Sequence, residues 1–249
     1  AQSTALPEDG SISLTLTGSD VDGDSLDFAI AQQPTNGLLS GTPPSITYTP
    51  NSDYSGSDSF TFVANDGSVD STPATVSLTI NPTNDAPVAS AVSVSTDEDN
   101  AVSVTLAATD IDGDPLTYNV VGQPSLGSLS GTAPNLTYTP NADANGSDSF
   151  TWTADDGSAD TGITTAIITI SAINDIPAAN GMSLSTSEDQ SLAFVLSGSD
   201  VDGDPLTFSV TGQPSDGNLT GTAPNLTFTP DANFTGSDTI TFVVNDGTV

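Results

Sequence analysis

Apolar residues alternate with polar ones along short runs, and the runs recur on a fixed schedule. In the middle of the chain the apolar positions are Val102, Val104 and Leu106, then Leu116, Tyr118 and Val120. Leu136 and Tyr138 follow, then Phe150 and Trp152, then Ala166, Ile168 and Ile170. A period of two marks a half-buried strand, because successive side chains leave a strand on opposite faces. These runs predict the second, third, fifth, sixth and seventh strands of one unit. A first strand is expected from Ala91 to Ser95 and a short fourth between Leu126 and Leu129. Clusters of Gly, Pro, Asn and Asp separate the runs, as tight turns require. Seven short strands in one unit predict an all-β fold built as an antiparallel sandwich.

The same pattern occurs three times at a spacing of 90 residues. Glu8-Asp9, Glu98-Asp99 and Glu188-Asp189 align, and so do Gly56-Ser57-Asp58, Gly146-Ser147-Asp148 and Gly236-Ser237-Asp238. Asn65-Asp66-Gly67, Asp155-Asp156-Gly157 and Asn245-Asp246-Gly247 keep the register, and Asn84-Asp85-Ala86-Pro87 matches Asn174-Asp175-Ile176-Pro177. The expected organisation is three tandem Greek-key sandwiches of immunoglobulin-like type, over residues 1–84, 85–174 and 175–249. The third lacks its last strand, which the register puts at about positions 253–261. A sandwich short of an edge strand exposes unpaired backbone. The chain reads as a window of a longer array, with a strand from a neighbouring copy filling the gap as the sharper alternative.

Composition narrows the function. The chain has 32 Asp plus Glu, no Lys or Arg and no His, for a formal charge of −32. It holds no cation of its own to offset self-repulsion, so bound metal or screening salt must do so. Nucleic acid is excluded as a partner, because no side chain can neutralise a phosphate, and an anionic membrane surface is excluded likewise. No apolar run reaches the length of a membrane span. There is no Cys to brace small units of roughly fifteen inward apolar side chains, whose burial offsets ordering entropy only narrowly. Without His, Cys, Lys or Arg, most acid–base and nucleophilic machinery is missing, and the chain is expected not to be an enzyme.

The acids themselves carry the sharpest signal. Asp20-Val21-Asp22-Gly23-Asp24 recurs as Asp110-Ile111-Asp112-Gly113-Asp114 and as Asp200-Val201-Asp202-Gly203-Asp204. Alternating carboxylates with a glycine for the bend present oxygen ligands to a hard cation such as Ca²⁺. A solvated Asx-turn is the plainer reading of a single copy; three copies in one register favour calcium. When strands alternate in direction, the loop after the second strand lies at the leading end of a unit. The turns after the first and fifth strands lie at the trailing end. That arrangement gathers Glu8, Asp58, Asn84, Asp85, Asp110, Asp112 and Asp114 at one junction. It gathers Glu98, Asp148, Asn174, Asp175, Asp200, Asp202 and Asp204 at the next, while Asp20, Asp22 and Asp24 form the leading loop of the first unit. Magnesium wants a tighter octahedron, and zinc finds neither Cys nor His.

In this combination the early Glu-Asp, the DxDGD loop, the Gly-Ser-Asp-Ser-Phe-Thr strand start, the NDG turn and the Asn-Asp-x-Pro linker resemble bacterial cadherin-like tandem repeats of large surface adhesins. The resemblance covers nearly the whole chain. It implies an extracellular location, calcium-rigidified linkers and a spacer or adhesive role. It also implies that Asn84, Asp85, Asp110 and Asp112, then Asn174, Asp175, Asp200 and Asp202, are the core ligands. Cadherins place Asp-Arg-Glu before the sixth strand; this chain has no Arg, so that part of the site must be built differently. Expected partners are calcium ions and adjacent repeats or neighbouring copies. Glycans are a further class, since Tyr48, Tyr138 and Phe228 recur, as do Tyr118 and Phe208, and could form a sugar platform; alternation with Thr favours the core, as it does for Trp152. Asn135, Asn145, Asn218, Asn225 and Asn233 stand in glycosylation sequons.

Overall fold

The structure, a computed structural model, describes residues 2–248. Among them every regular element is a strand, so no helix is long and apolar enough to cross a membrane. The first repeat holds β1 (Gln2–Pro7), β2 (Ile12–Thr15), β3 (Asp27–Gln32), β4 (Gly37–Thr42), β5 (Ser45–Pro50), β6 (Gly56–Asn65) and β7 (Ala74–Asn81). The second holds β8 (Val88–Ala89), β9 (Val92–Asp97), β10 (Val102–Thr105), β11 (Ala108–Thr109), β12 (Thr117–Gly122), β13 (Gly127–Thr132), β14 (Asn135–Pro140), β15 (Gly146–Asp155) and β16 (Thr164–Ser171). The third holds β17 (Ala178–Asn180), β18 (Leu192–Val195), β19 (Ser197–Ser199), β20 (Thr207–Gly212), β21 (Gly217–Thr222), β22 (Asn225–Pro230) and β23 (Thr241–Asn245). All seven strands expected in the middle repeat are present, and β8 with β11 adds a short antiparallel pair.

The chain divides into two compact units. One runs to Ala91 and takes in Leu106–Val121 and Thr151–Thr164; the other comprises Val92–Thr105, Gly122–Phe150 and the residues from Thr165 on. In the first unit, two sheets face each other across a core. One has the order β1-β7-β6-β3 and the other β2-β5-β4. β1 runs parallel to β7, and β6 antiparallel to it, from Gly56 opposite Ile80 to Phe62 opposite Ala74. The alternating pattern becomes burial: Val76, Leu78 and Ile80 point inward with Phe60, Phe62, Ile46 and Tyr48, while the Thr and Ser between them face water. Tyr118 and Trp152 stack at 6.0 Å in the same unit. Tyr48, Tyr138 and Trp152 have no solvent exposure, which removes them as a sugar platform and makes them core.

The second unit repeats these features. β9 runs parallel to β16, Val92 opposite Ala166 through Asp97 opposite Ser171, and β10 and β13 flank β14. In the third repeat β18-β22-β21 forms one sheet and β20 pairs with β23. One expectation is corrected here. The seventh strand is internal to its sheet, held between the first and the sixth, and is not an edge. Where none stands among the described residues, in the third repeat, the stretches 182–187 and 236–240 on both sides of its place are not strands.

Candidate metal centre

The linker after each repeat is drawn into the acidic loop that follows it. In the first unit the Asp85 N–H donates to Asp112 Oδ2 at 2.9 Å, and Asn84 Nδ2 donates to Asp156 Oδ2 at 3.0 Å. The Thr83 N–H donates to Glu8 Oε1 at 2.7 Å, which fixes a glutamate only 4% exposed. Glu8, Asp85 and Asp112 thereby each bring one carboxylate oxygen within 4.8 Å of the others. The second unit repeats this with Asp175 N to Asp202 Oδ2 at 2.7 Å and Asn174 Nδ2 to Asp246 Oδ2 at 2.8 Å. Ile173 N donates to Glu98 Oε1 at 2.5 Å, and Glu98, Asp175 and Asp202 form the matching group.

The triplets Asp110, Asp112, Asp114 and Asp200, Asp202, Asp204 also converge within 4.8 Å. Their bend is made by glycines at φ +80°, Gly113 and Gly203, a conformation that costs a residue with a Cβ. The N–H of Asp114 donates to Asp110 Oδ1, and that of Asp204 to Asp200 Oδ1, both at 3.1 Å.

Four carboxylate oxygens in these groups are buried with no hydrogen-bond partner: Oδ2 of Asp85, Asp110, Asp175 and Asp200. Burial pushes the Asp85 carboxyl above its ordinary value, and the charges of Asp9, Asp53, Asp112 and Glu8 add to the effect. Burial does the same at Asp175, with Asp143, Asp202, Asp99 and Glu98 adding to it. Buried acceptors without donors are costly, and like charges this close repel. An all-oxygen set of carboxylates with spare lone pairs fits a hard divalent cation of Ca²⁺ type and offers nothing to soft metals.

Asp58 and Asp148 are placed differently from the sequence expectation. Asp58 accepts from Thr35 N and Oγ1, Asn36 N, Ser59 N and Tyr48 Oη at 2.8–3.2 Å, and is 7% exposed. Asp148 accepts from Ser125 N and Oγ, Leu126 N, Ser149 N and Tyr138 Oη at 2.8–3.1 Å. Burial alone would raise these two carboxyls, but the donated hydrogen bonds outweigh it and hold both below the ordinary carboxylate range. Both are engaged inside the sandwich and join none of the acidic groups. Asp20, Asp22 and Asp24 form no such group either. Asp20 Oδ1 takes the N–H groups of Asp22, Gly23 and Asp24 at 2.8–3.2 Å, an Asx-turn closed on itself.

The structure adds residues that the expected ligand set omits. Asp99, Asp143 and Asp175 form a further group, with Asp143 N donating to Asp99 Oδ1 at 3.2 Å. Asp99 and Asp143 sit at φ +60° and +56°. The signal was present as Glu98-Asp99 and as the Asn-x-Asp after the fifth strand, two turns that strand alternation already puts at one end; the fold adds that Asp99 and Asp143 close on Asp175 there. Asp156 and Asp246 hold the linker asparagines.

A family model for the bacterial Ig domain matches residues 1–79, 84–171 and 174–249. The chain belongs to the bacterial Ig domain family. Among solved structures, the extracellular cadherin domains 1–5 of protocadherin gamma B2 superpose with a TM-score of 0.53 at 17% identity, over 98% of this chain and 55% of that one. Protocadherin gammaB7 domains 3–6 give 0.52 at 16% identity, over 99% of this chain and 72% of that one. A curated relative, integrin beta-like protein B of Dictyostelium discoideum, is 38% identical over 65 residues. That match takes in 26% of this bacterial Ig chain and 3% of the relative's length. The likeness to cadherin domains is one of fold.

Proposed function

We propose that these bacterial Ig repeats are a calcium-binding, non-catalytic spacer of an extracellular surface adhesin, each repeat 85–174 and 175–249 being docked to its predecessor's linker by metal. The observation that carries this reading is the set of buried, donorless oxygens of Asp85, Asp110, Asp175 and Asp200 in a chain without a single cationic side chain. Ligands at the first junction are Glu8, Asp85, Asp110 and Asp112; at the second they are Glu98, Asp175, Asp200 and Asp202. Asp99 and Asp143 extend the second set. Asp114 and Asp204 complete their loops. Repeats of this fold are typical of surface adhesins, and acidic oxygen-only junctions suit millimolar extracellular calcium.

The test is a thermal melt of the whole chain in excess Ca²⁺ and in excess chelator, with the hydrodynamic radius measured alongside. Calcium at 100 times its Kd should stabilise the folded chain by about 2.7 kcal/mol per independent site, read as a rise in Tm. An unchanged Tm and radius would sink the proposal and leave the loops as turns.

A further inference from the structure

We propose that Asn84 and Asn174 are metal-independent latches: each donates its side-chain N–H to the following repeat and seats the linker whether or not an ion is bound. This departs from the ligand role that the resemblance to cadherin-like repeats implies for them, in which the amide oxygen faces the metal. Asn84 Nδ2 stands 3.0 Å from Asp156 Oδ2 and 3.1 Å from the Asp85 carbonyl. Both neighbours are acceptors, so only the nitrogen end of the amide can face them. Asn174 repeats the arrangement, with Nδ2 2.8 Å from Asp246 Oδ2 and 3.1 Å from the Asp175 carbonyl. Each partner lies 72 residues further on, in the turn that follows β15 or β23. Asn84 and Asp156 belong to one compact unit, and Asn174 and Asp246 to the other.

The composition explains why an asparagine stands here. With no Lys, Arg or His, the chain's side-chain N–H donors are confined to Asn, Gln and one Trp. An amide is therefore what it can offer a carboxylate of another repeat in place of a salt bridge, and an ionised acceptor makes that bond roughly twice as strong as a neutral one. The acceptor is oriented for it. The N–H groups of Ser158 and Ala159 occupy Asp156 Oδ1 at 2.6 and 2.7 Å, and Oδ2 is turned to Asn84. Hydrogen bonds from Ala159, Asn84 and Ser158 hold the Asp156 carboxyl below its ordinary value, which keeps it charged. The next linker residue makes a second grip, the Asp85 N–H on Asp112 Oδ2 and, in the other unit, the Asp175 N–H on Asp202 Oδ2. Two adjacent donors thus hold two different loops of the following repeat and deliver the carboxylate of Asp85 or Asp175 to the acids beside it. Asn84 and Asn174 are positioning residues, which place that carboxylate and give the ion no oxygen of their own. The purpose of the latch rests on the calcium-binding function proposed above; its existence does not, and it is measured without metal.

The experiment compares the parent chain, Asn84→Asp, and Asn84→Asp combined with Asp156→Asn, all in excess chelator. Hydrogen exchange of the Asp85 N–H, followed by NMR, reports how firmly the linker is seated. Asn84→Asp sets two carboxylates face to face and should speed that exchange at least ~10-fold, the scale of one lost charge-assisted hydrogen bond. The double variant moves the amide to the other side, where its Oδ1 keeps the N–H groups of Ser158 and Ala159 and its Nδ2 faces residue 84. Protection should return to within ~3-fold of the parent, the remainder being the neutral bond to the Asp85 carbonyl. Unchanged exchange in Asn84→Asp, or no recovery in the double variant, would overturn the proposal. Calorimetric titration of the parent and Asn84→Asp with Ca²⁺ then separates latch from ligand. An oxygen ligand exchanged for a carboxylate should bind calcium at least as tightly, whereas a broken latch should bind it more weakly; equal or tighter binding would also overturn the proposal. A parent chain that bound no calcium would defeat the metal function alone, and the measurements in chelator would still decide the latch.

Discussion

At the scale of the residue, two aspartate environments of opposite sign decide how the chain responds to acid and to metal. Asp58 and Asp148 are buried but supplied with N–H and O–H donors, so their charged forms are favoured. A carboxyl held below its ordinary value adds stability that is present above the unfolded value, roughly pH 3.9, and is lost as pH falls through the lowered folded value. Acid unfolding in calcium-free buffer should therefore begin only below about pH 4, as followed by circular dichroism. Asp58→Ala should destabilise the first repeat by roughly 3 kcal/mol, since Thr35, Asn36 and Ser59 lose their acceptor; a denaturant titration would read the loss. Asp85 is the reverse case, half-buried among like charges with its Oδ2 buried and without a donor. Asp85→Asn should leave Tm equal or higher in chelator while abolishing much of the calcium-induced rise. A variant that kept the full calcium increment would remove Asp85 from the ligand set.

At the scale of the element, the strands carry most of their own specification, and one contact shows how tightly they are set. Gly37 lies over the ring of Tyr48, where an added Cβ would come within 2.6 Å of the ring and of the Thr49 carbonyl. Gly127 lies over Tyr138 in the same way, with 2.5 Å to the ring and 2.6 Å to the Thr139 carbonyl. The obstacle includes backbone of the paired strand, so it cannot swing aside. Gly127→Ala should cost about 1–3 kcal/mol by overpacking and be read as a lower urea midpoint. The same tyrosines reach across the sandwich to Asp58 and Asp148, which ties β5 to the start of β6 and β14 to the start of β15. Phe228 stands in that place in the third repeat and offers no hydroxyl to Asp238. Asp238 instead accepts from the backbone of Ser215, Asp216 and Thr239.

At the scale of the whole molecule, a charge of −32 with no compensating cation means that self-repulsion is relieved only by ions from solution. Raising NaCl shortens the Debye length from about 30 Å at 0.01 M to about 3 Å at 1 M. In chelator, Tm should therefore climb steadily with salt. In calcium the climb should be shallower, because bound cations already neutralise the densest acidic groups; a scanning-calorimetry series in both buffers would show the two slopes. Equal slopes would mean that calcium acts only by screening.

The sequence by itself determined the strands, the 90-residue repeat and which faces are buried, because a period of two and turn residues at regular spacing are local signals. Glu8, Asp85 and Asp112 could be grouped from strand direction alone, since alternation decides at which end each loop lies. Only the tertiary structure decided which carboxylates keep a vacant lone pair. Asp58 and Asp85 look alike in the sequence, yet one meets the N–H groups of a distant turn and the other meets acids. The same holds for Asp20 against Asp110: both give Oδ1 to their own loop's backbone, three N–H groups in one case and one in the other, but Asp110 also keeps a buried, unpaired Oδ2. The parallel pairing of β1 with β7, which makes the seventh strand internal, was equally invisible. Hydrogen-bond partners far apart in sequence are set by packing, and packing leaves no periodic trace in the chain.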